Sequence, residues 1–354
     1  MRAATAPRSP ERLLLVDPAR GTFDDATPRG LVRLLGPGDL LVVNDAATLP
    51  ASLAGAVRGE PVEVRLLDGE GERFRAVLLG AGDWRTRTEH RPPPPPVTRG
   101  DEIELRASLP PPAERGEGRG GGRGCAEALK ARVEGVSELS PRLVRLVFDR
   151  SGAELYRALY AVGRPIQYAH VASPLELWSV QTGYAARPWA VEMPSAGRPL
   201  SFELVLELRR RGVAFATLTH AAGLSATGDP AIDAALPLPE RYEIPEPTIA
   251  AVERADRVIA VGTSVVRALE GAFARHGVLR PGRGETDLVL REGFEPRVVD
   301  ALLTGMHEKD ASHFALLQAF APRALLESAY AHAEEAGYLG HEFGDATLIL
   351  GAAA

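Results

Sequence analysis

Arg257-Val-Ile-Ala-Val-Gly-Thr-Ser-Val-Val-Arg-Ala-Leu-Glu270 is the stretch that decides the fold class of this 354-residue chain. Val258 to Val261 is a short apolar, β-branched run, and from Ser264 to His276 the apolar positions recur with helical spacing, so a buried strand turns into an amphipathic helix. A strand, a tight turn and a helix in succession are the unit of an α/β body. The turn itself, Gly262-Thr263-Ser264, aims backbone amides and hydroxyls beyond the strand end. The helix dipole favours an anionic or electron-rich group there, such as a carboxylate or a ribose. An ordinary Ser/Thr N-cap on a βα unit accounts for the same residues.

Working outward, Val213 to Leu218 reads as a second strand, with helices at Phe202 to Arg210 and Thr248 to Ala255. Helical spacing continues through Pro296 to Leu303, Phe314 to Phe320 and Ala324 to Ala336. Near the start, Leu13 to Val16 and Leu40 to Val43 are short apolar runs bounded by Asp17-Pro18 and Gly36-Pro37-Gly38, which makes them buried strands. Between Ala51 and about Arg150 the texture differs. Val62 to Leu66, Phe74 to Val77, Ile103 to Leu105 and Leu143 to Phe148 alternate with period two, the mark of a small antiparallel barrel. Pro92 to Pro96 cannot enter a ladder, and Arg115 to Gly124 is a Gly/Arg-rich run without apolar residues to order it. The predicted architecture is an α/β body formed by both chain ends, 1–50 and 166–354, with the barrel inserted at 51–165.

Composition narrows the class. Hydrophobic residues make up 45% of the chain, charged residues 25%, and the formal net charge is −6. These values suit a globular enzyme and exclude a histone-like basic surface, although a local basic groove still neutralises phosphates on an acidic protein. The single cysteine, Cys125, has no disulfide partner, and no stretch reaches the roughly 18 uninterrupted apolar residues of a membrane span. A soluble protein of the reducing cytoplasm, as monomer or weak homodimer, is the expectation. No His-x-x-His, Glu-x-x-His or cysteine pair stands at zinc spacing, so neither a metal nor a redox cofactor is expected.

Polar residues gather in two loops ahead of the Phe202 helix, Gln181-Thr-Gly-Tyr-Ala185 and Met193-Pro-Ser-Ala-Gly-Arg-Pro-Leu-Ser201, and loops on a rigid scaffold are where sites concentrate. Of the 8 histidines, His220, His307, His313 and His341 fall at the ends of predicted elements. His220 directly follows a strand, where a side chain is held rigidly against a crevice, so it is the candidate general base. Asp310-Ala-Ser-His313 has no triad context, which argues against acyl transfer.

These segments, in this order, resemble the S-adenosylmethionine:tRNA ribosyltransferase-isomerase family. The resemblance rests on Glu11-Arg-Leu-Leu-Leu-Val, Pro37-Gly-Asp-Leu-Leu-Val-Val-Asn-Asp45, Leu49-Pro-Ala, Gln181-Thr-Gly-Tyr-Ala185, Pro194-Ser-Ala-Gly197 and Ile259-Ala-Val-Gly-Thr-Ser-Val-Val-Arg267. Glu285-Thr-Asp287, Leu303-Thr304, His307 and Gly344-Asp345-Ala-Thr-Leu-Ile349 follow in register. The resemblance implies two domains with an inserted barrel. It also implies S-adenosylmethionine as ribosyl-donating co-substrate: its ribosyl part passes to a deazaguanine base in tRNA and rearranges to an epoxycyclopentanediol, with adenine and methionine released. On this reading His220, His307 and Asp287 are the candidate catalytic residues, with His220 as general base and His307 and His313 as orienting or substrate-binding groups. Asn44, Asp45, Gln181, Thr182, Tyr184, Pro194, Ser195, Gly197, Arg198, Gly262, Thr263, Ser264, Arg267, Thr304, His313 and Asp345 bind substrate.

The chain departs from the family pattern inside these motifs. Arg198-Pro199 stands where the family has Leu-His, His220 is one position displaced, and Ala47 and Ser52 replace arginines. Arginine is the best bidentate phosphate clamp, so these losses predict weak, salt-dependent tRNA binding. Three functions are therefore carried forward: the tRNA enzyme, an S-adenosylmethionine-using enzyme with a small-molecule acceptor, and a non-catalytic nucleoside- or RNA-binding relative.

Overall fold

The structure is a computed structural model that describes residues 1–107, 128–307 and 312–351, with the side chains of Ser312 and His313 outside that description. The Gly/Arg-rich run 115–124 and Cys125 also lie outside it. Among the described residues a nine-stranded mixed sheet forms the body. In spatial order its strands are Gly282–Thr286, Glu240–Ile244, Ala214–His220, Asp39–Asn44, Arg257–Val261, Ala301–Gly305, Ala346–Ile349, Leu13–Asp17 and Thr22–Ala26. The run from Ala214–His220 to Ala301–Gly305 is parallel throughout, so His220, Asn44, Val261 and Gly305 end along one edge.

Strand periodicity explains why this sheet is covered on both faces. Leu40, Val42, Ala260 and Leu302 point into one core with the Thr263–His276 and Arg323–Glu335 helices, while Leu41, Val43, Ile259 and Leu303 point into another with Leu31, Leu204 and Leu208. A strand buried on both sides reads as a continuous apolar run instead of an alternation. The same property misleads at Pro296 to Leu303, predicted helical. There Ala301–Gly305 is a central strand, its Ala-Leu-Leu-Thr run buried on both faces.

The chain leaves the sheet after the Ala46–Thr48 strand and returns through Arg187–Ala190, which pairs with it in parallel. Between them Ser52–Val57, Glu60–Glu70, Arg73–Leu79, Glu102–Leu105, Leu129–Val136 and Leu143–Phe148 close into an antiparallel six-stranded barrel. Two of these strands escape a sequence reading. Ser52–Val57 is mostly small residues, and Leu129–Val136 begins two residues past the undescribed segment. The Gly152–Val162 helix then packs Leu155, Leu159 and Val162 onto the barrel core. No helix among the described residues is long and apolar enough to cross a membrane.

Both chain ends are tied together by one carboxylate. Asp345 is buried, and its Oδ1 accepts from the Glu11 and Arg12 amides at 3.2 Å and from Arg8 Nη2 at 3.1 Å, while Oδ2 accepts from the Leu339 amide at 2.9 Å. Deleting a buried charged acceptor strands its donors, each at a cost of about 1–3 kcal/mol. Asp345→Ala is therefore expected to lower the unfolding free energy in urea by about 3 kcal/mol or more. A loss below about 1 kcal/mol would mean that these donors find water instead.

Candidate active site

Asn44 organises the carboxyl edge of the sheet. Its Oδ1 accepts from the His220 amide at 2.9 Å and the Ala46 amide at 3.0 Å, and its Nδ2 donates to the His220 carbonyl at 3.0 Å and lies 3.5 Å from Ser264 Oγ. The buried carboxamide thus locks two strand ends to the head of the Thr263–His276 helix. Asp45 next to it accepts from Thr219 Oγ1 at 2.6 Å. Gly262 takes φ +99°, a backbone conformation glycine adopts without strain, and a Cβ there would press on Ala196 at 3.2 Å. The amides of Thr263 and Ser264 then open a 14-residue helix, where no intrahelical acceptor exists for them.

The other two polar segments converge on this turn. Ser195–Gly197 packs against the Ala301–Gly305 strand, and a Cβ at Gly197 would overlap the Tyr184 hydroxyl and press on Thr182 Cγ2. Burial pushes the Tyr184 phenol well above its usual range. Thr182 Oγ1 is buried without a hydrogen-bond partner, which leaves a donor and an acceptor unspent in the site. Gln181 is engaged elsewhere, since its Oε1 accepts from the Thr48 amide and its Nε2 donates to the Thr48 carbonyl, both at 2.9 Å. Its amide is consumed in holding the crossing between sheet and barrel.

His220 is fully buried, with neither ring nitrogen hydrogen-bonded and Nε2 3.4 Å from Glu240 Oε2. Burial first, and the Arg267 charge second, push the imidazole down to about 3. Arg267 donates from Nη1 to Glu240 and from Nε to the Leu288 carbonyl at 2.9 Å, and its Nη2 is buried and unpaired. Burial raises the Glu240 carboxyl above its usual range, while Arg267 opposes that rise. A cleft at the junction reaches this group, lined by Leu67, Asp68 and Arg75 of the barrel and by Gly223, Leu224 and Glu240 of the body. This setting bears on the expectation that His220 is the general base. An imidazole held neutral in a dry site, beside a guanidinium, takes up a proton with difficulty, whereas the carboxylate beside it has gained basicity.

The remaining candidates are spread along the same edge. A second cleft is lined by Ser195, Pro199, Thr304, His341, Glu342 and Asp345. Thr304 Oγ1 lies 2.8 Å from His307 Nε2. His307 follows a strand three places from that of His220, roughly 14 Å away at the usual strand spacing, so the two do not exchange protons directly. Asp287 is exposed, just past the edge strand Gly282–Thr286 and two strands out from His220. The oxygens of Asp345 are spent on backbone and on Arg8. Arg198 donates to the Glu342 carbonyl at 3.1 Å and to the Arg8 carbonyl, with its guanidinium 4.6 Å from the Phe343 ring centroid. Burial lowers Arg198 to about 10. His313 heads the Ser312–Leu317 helix, and its side chain is outside the described residues.

Sequence reasoning missed a further group. The Tyr168 hydroxyl donates to Glu192, whose Oε1 also accepts from the Ser225 amide at 3.2 Å. Burial raises the Glu192 carboxyl, and the nearby charge of Glu342 adds to the rise. Tyr168 also lies under Arg65, 5.5 Å from guanidinium to centroid, and Arg65 and Arg91 both bind Glu63 inside the barrel wall. The one available signal was an acidic residue, Glu192, directly ahead of Met193-Pro194.

Comparison with known proteins follows the same outline. The model of the family described as "Queuosine biosynthesis protein" matches residues 2–349. A protein of Sorangium cellulosum named S-adenosylmethionine:tRNA ribosyltransferase-isomerase is 36% identical over 386 residues, covering 99% of this chain and 96% of its own length. Its namesake from Methylobacterium sp. (strain 4-46) is 33% identical over 359 residues, covering 97% and 92%. A crystal structure of S-adenosylmethionine tRNA ribosyltransferase from Thermotoga maritima shares the fold, with TM-score 0.50 at 24% identity, covering 98% of this chain and 96% of that one.

The buried histidine has a measurable signature. Its folded value, about 3, lies below the ordinary 6.5. The unfolded chain therefore binds a proton that the folded chain refuses, and the resulting stability is complete above about 6.5 and lost as pH falls towards 3. Replacing the ring with a non-titrating side chain, His220→Leu, is expected to flatten the fall in urea-unfolding stability between pH 6.5 and 4. Equal slopes in the two proteins would show that the ring is protonated in the fold.

Proposed function

We propose an activity from one established premise: this chain belongs to the queuosine biosynthesis protein family, whose model it matches from residue 2 to residue 349. It is an enzyme of the transferase and isomerase class carried by its named relatives. The reaction passes the ribosyl part of S-adenosylmethionine to a deazaguanine base of tRNA and rearranges it, with loss of adenine and methionine. The setting for that chemistry is a soluble cytoplasmic protein.

One observation carries the residue-level reading: three segments far apart in sequence meet at the carboxyl ends of parallel strands, where ligands of open α/β sheets bind. The Thr263 and Ser264 amides, with the helix dipole behind them, donate to the methionine carboxylate or to ribose oxygens. Thr182 supplies a hydroxyl with no competing partner. Removing the acidic proton next to the sulfonium requires a base of raised basicity in a dry place, and Glu240 fits that requirement better than His220. Arg267 keeps the carboxylate ionised, and neutral His220 orients it or relays the proton.

The tRNA side of the reading rests on Trp189. Arg187, Arg241 and Arg283 lie 5.9, 4.2 and 5.7 Å from its ring centroid, an arrangement that offers a stacking face and guanidinium donors to RNA. Arg187 and Arg283 are shared with Glu243, but Arg241 Nε is buried without a partner. This cluster offsets the absence of arginine at Ala47 and Ser52.

Incubation with S-adenosylmethionine, with and without tRNA that carries the deazaguanine base, tests the proposal by mass spectrometry of adenine and methionine. Release that depends on tRNA is expected. Release that is equally fast without tRNA assigns a small-molecule acceptor, and no release at any condition overturns the activity. Glu240→Gln is expected to slow the chemical step by about two to four orders of magnitude while S-adenosylmethionine still binds, and an unchanged rate removes Glu240 from proton transfer. Arg241→Ala is expected to weaken tRNA binding about tenfold and to reduce its salt dependence by about one phosphate contact. Binding unaffected by that change would place the RNA elsewhere.

A further inference from the structure

His170, His341 and Glu342 bring their ligand atoms within 4.8 Å of one another, and His341 and Glu342 also line the cleft that holds Thr304 and Asp345. His170 Nε2 is 3.1 Å from both oxygens of Glu342, and the two imidazole centroids are 4.5 Å apart. His170 and His341 come from distant parts of the chain, so no local spacing announces the group. We propose that these three side chains form a binding site for a first-row divalent cation of the Zn2+ class.

The geometry favours a cation over a plain ion pair. A His–carboxylate pair needs one imidazole, and here a second ring stands against the first with its ligand atom within 4.8 Å of the other two. A metal uses both rings neutral and takes the carboxylate as third ligand. Two histidines and one carboxylate are a set shared by zinc enzymes and non-haem iron sites, with the remaining positions open to water or substrate. His341 takes φ +66°, a left-handed conformation uncommon for a non-glycine residue, and its ring lies against that of His170. The surroundings supply the supports such ligands need: Tyr168 stacks on His170 with an interplanar angle of 8°, and beyond it the Tyr168 hydroxyl is fixed by Glu192. The ligand atoms are wider apart than in a loaded site, and the exposed His341 side chain is the one with room to close the distance.

This inference does not depend on the proposed activity, and its test reads binding alone. The full chain, stripped with a chelator and dialysed, is titrated with ZnCl2 by calorimetry, and with Co2+ by visible absorbance, which reports coordination geometry. One saturable equivalent per chain is expected. His170→Ala and Glu342→Gln should each weaken it roughly tenfold or more, with circular dichroism unchanged, and His332→Ala, at a separate surface pair with Asp25, should not. No saturable binding, or binding that survives both substitutions, overturns the proposal and leaves His170 and Glu342 as an ion pair. Should His170→Ala fail to fold, Glu342→Gln and His341→Ala decide the question by the same criterion.

Discussion

Asp345 is the constraint on which the site depends, because the body is made from residues that enter and leave the sheet at opposite ends of the chain. Its four donors come from the arm before the Leu13–Asp17 strand and from the Leu339 turn, and its own carbonyl accepts from the Met306 amide at 3.2 Å. One residue therefore sets the positions of Pro10, Gly305 and the His341–Gly344 turn, which all line the second cleft. Arg198 repeats the arrangement from the other wall by donating to the Arg8 and Glu342 carbonyls. A family-like aspartate and a residue foreign to the family motif thus do the same job. That explains how the loop around Arg198 tolerates its substitutions.

The barrel is coupled to this edge through buried charge. Burial works to raise the Glu63 carboxyl, but Arg65 and Arg91 overcome it and hold the group below its usual range. With both guanidiniums committed to Glu63, and Arg91 also to the Gly80 and Gly82 carbonyls, their orientation is set by the barrel wall. Arg65 presents its face to Tyr168, which in turn fixes Glu192. Charges removed from water interact strongly, so a shift of the barrel relative to the sheet changes the surroundings of Glu192 more than a surface ion pair would.

What the sequence disclosed, and what it concealed, follows from the range over which each signal acts. Period-two alternation exposed Glu60–Glu70, Arg73–Leu79 and Leu143–Phe148, while the strand–turn–helix at Val258 to Glu270 and the helices after Phe202 and Ala324 were visible from apolar spacing alone. The central strand Ala301–Gly305 was mistaken for helix because burial on both faces erases alternation. In the site, the convergence of Thr182, Tyr184, Gly197 and Gly262 matched motifs that could be read one by one. Arg267 could be read as the end of one motif, but its pairing with Glu240 beside His220 could not, since Glu240 is supplied by an antiparallel neighbouring strand. Nothing local in the Glu240 segment marks a buried charge.

The loss of the family histidine at Pro199 has a spatial counterpart. Pro199 is buried and lines the same cleft as His341, so an imidazole absent from one wall is present on another. The His341 ring stands on a turn held by Asp345 and Arg198, next to Glu342 and against His170. The imidazole of this cleft therefore comes from the turn before the Ala346–Ile349 strand and not from the loop before the Phe202–Arg210 helix. A sequence motif records which segment carries a group, whereas a cleft responds only to where the group lies, and the two measures separate at this position.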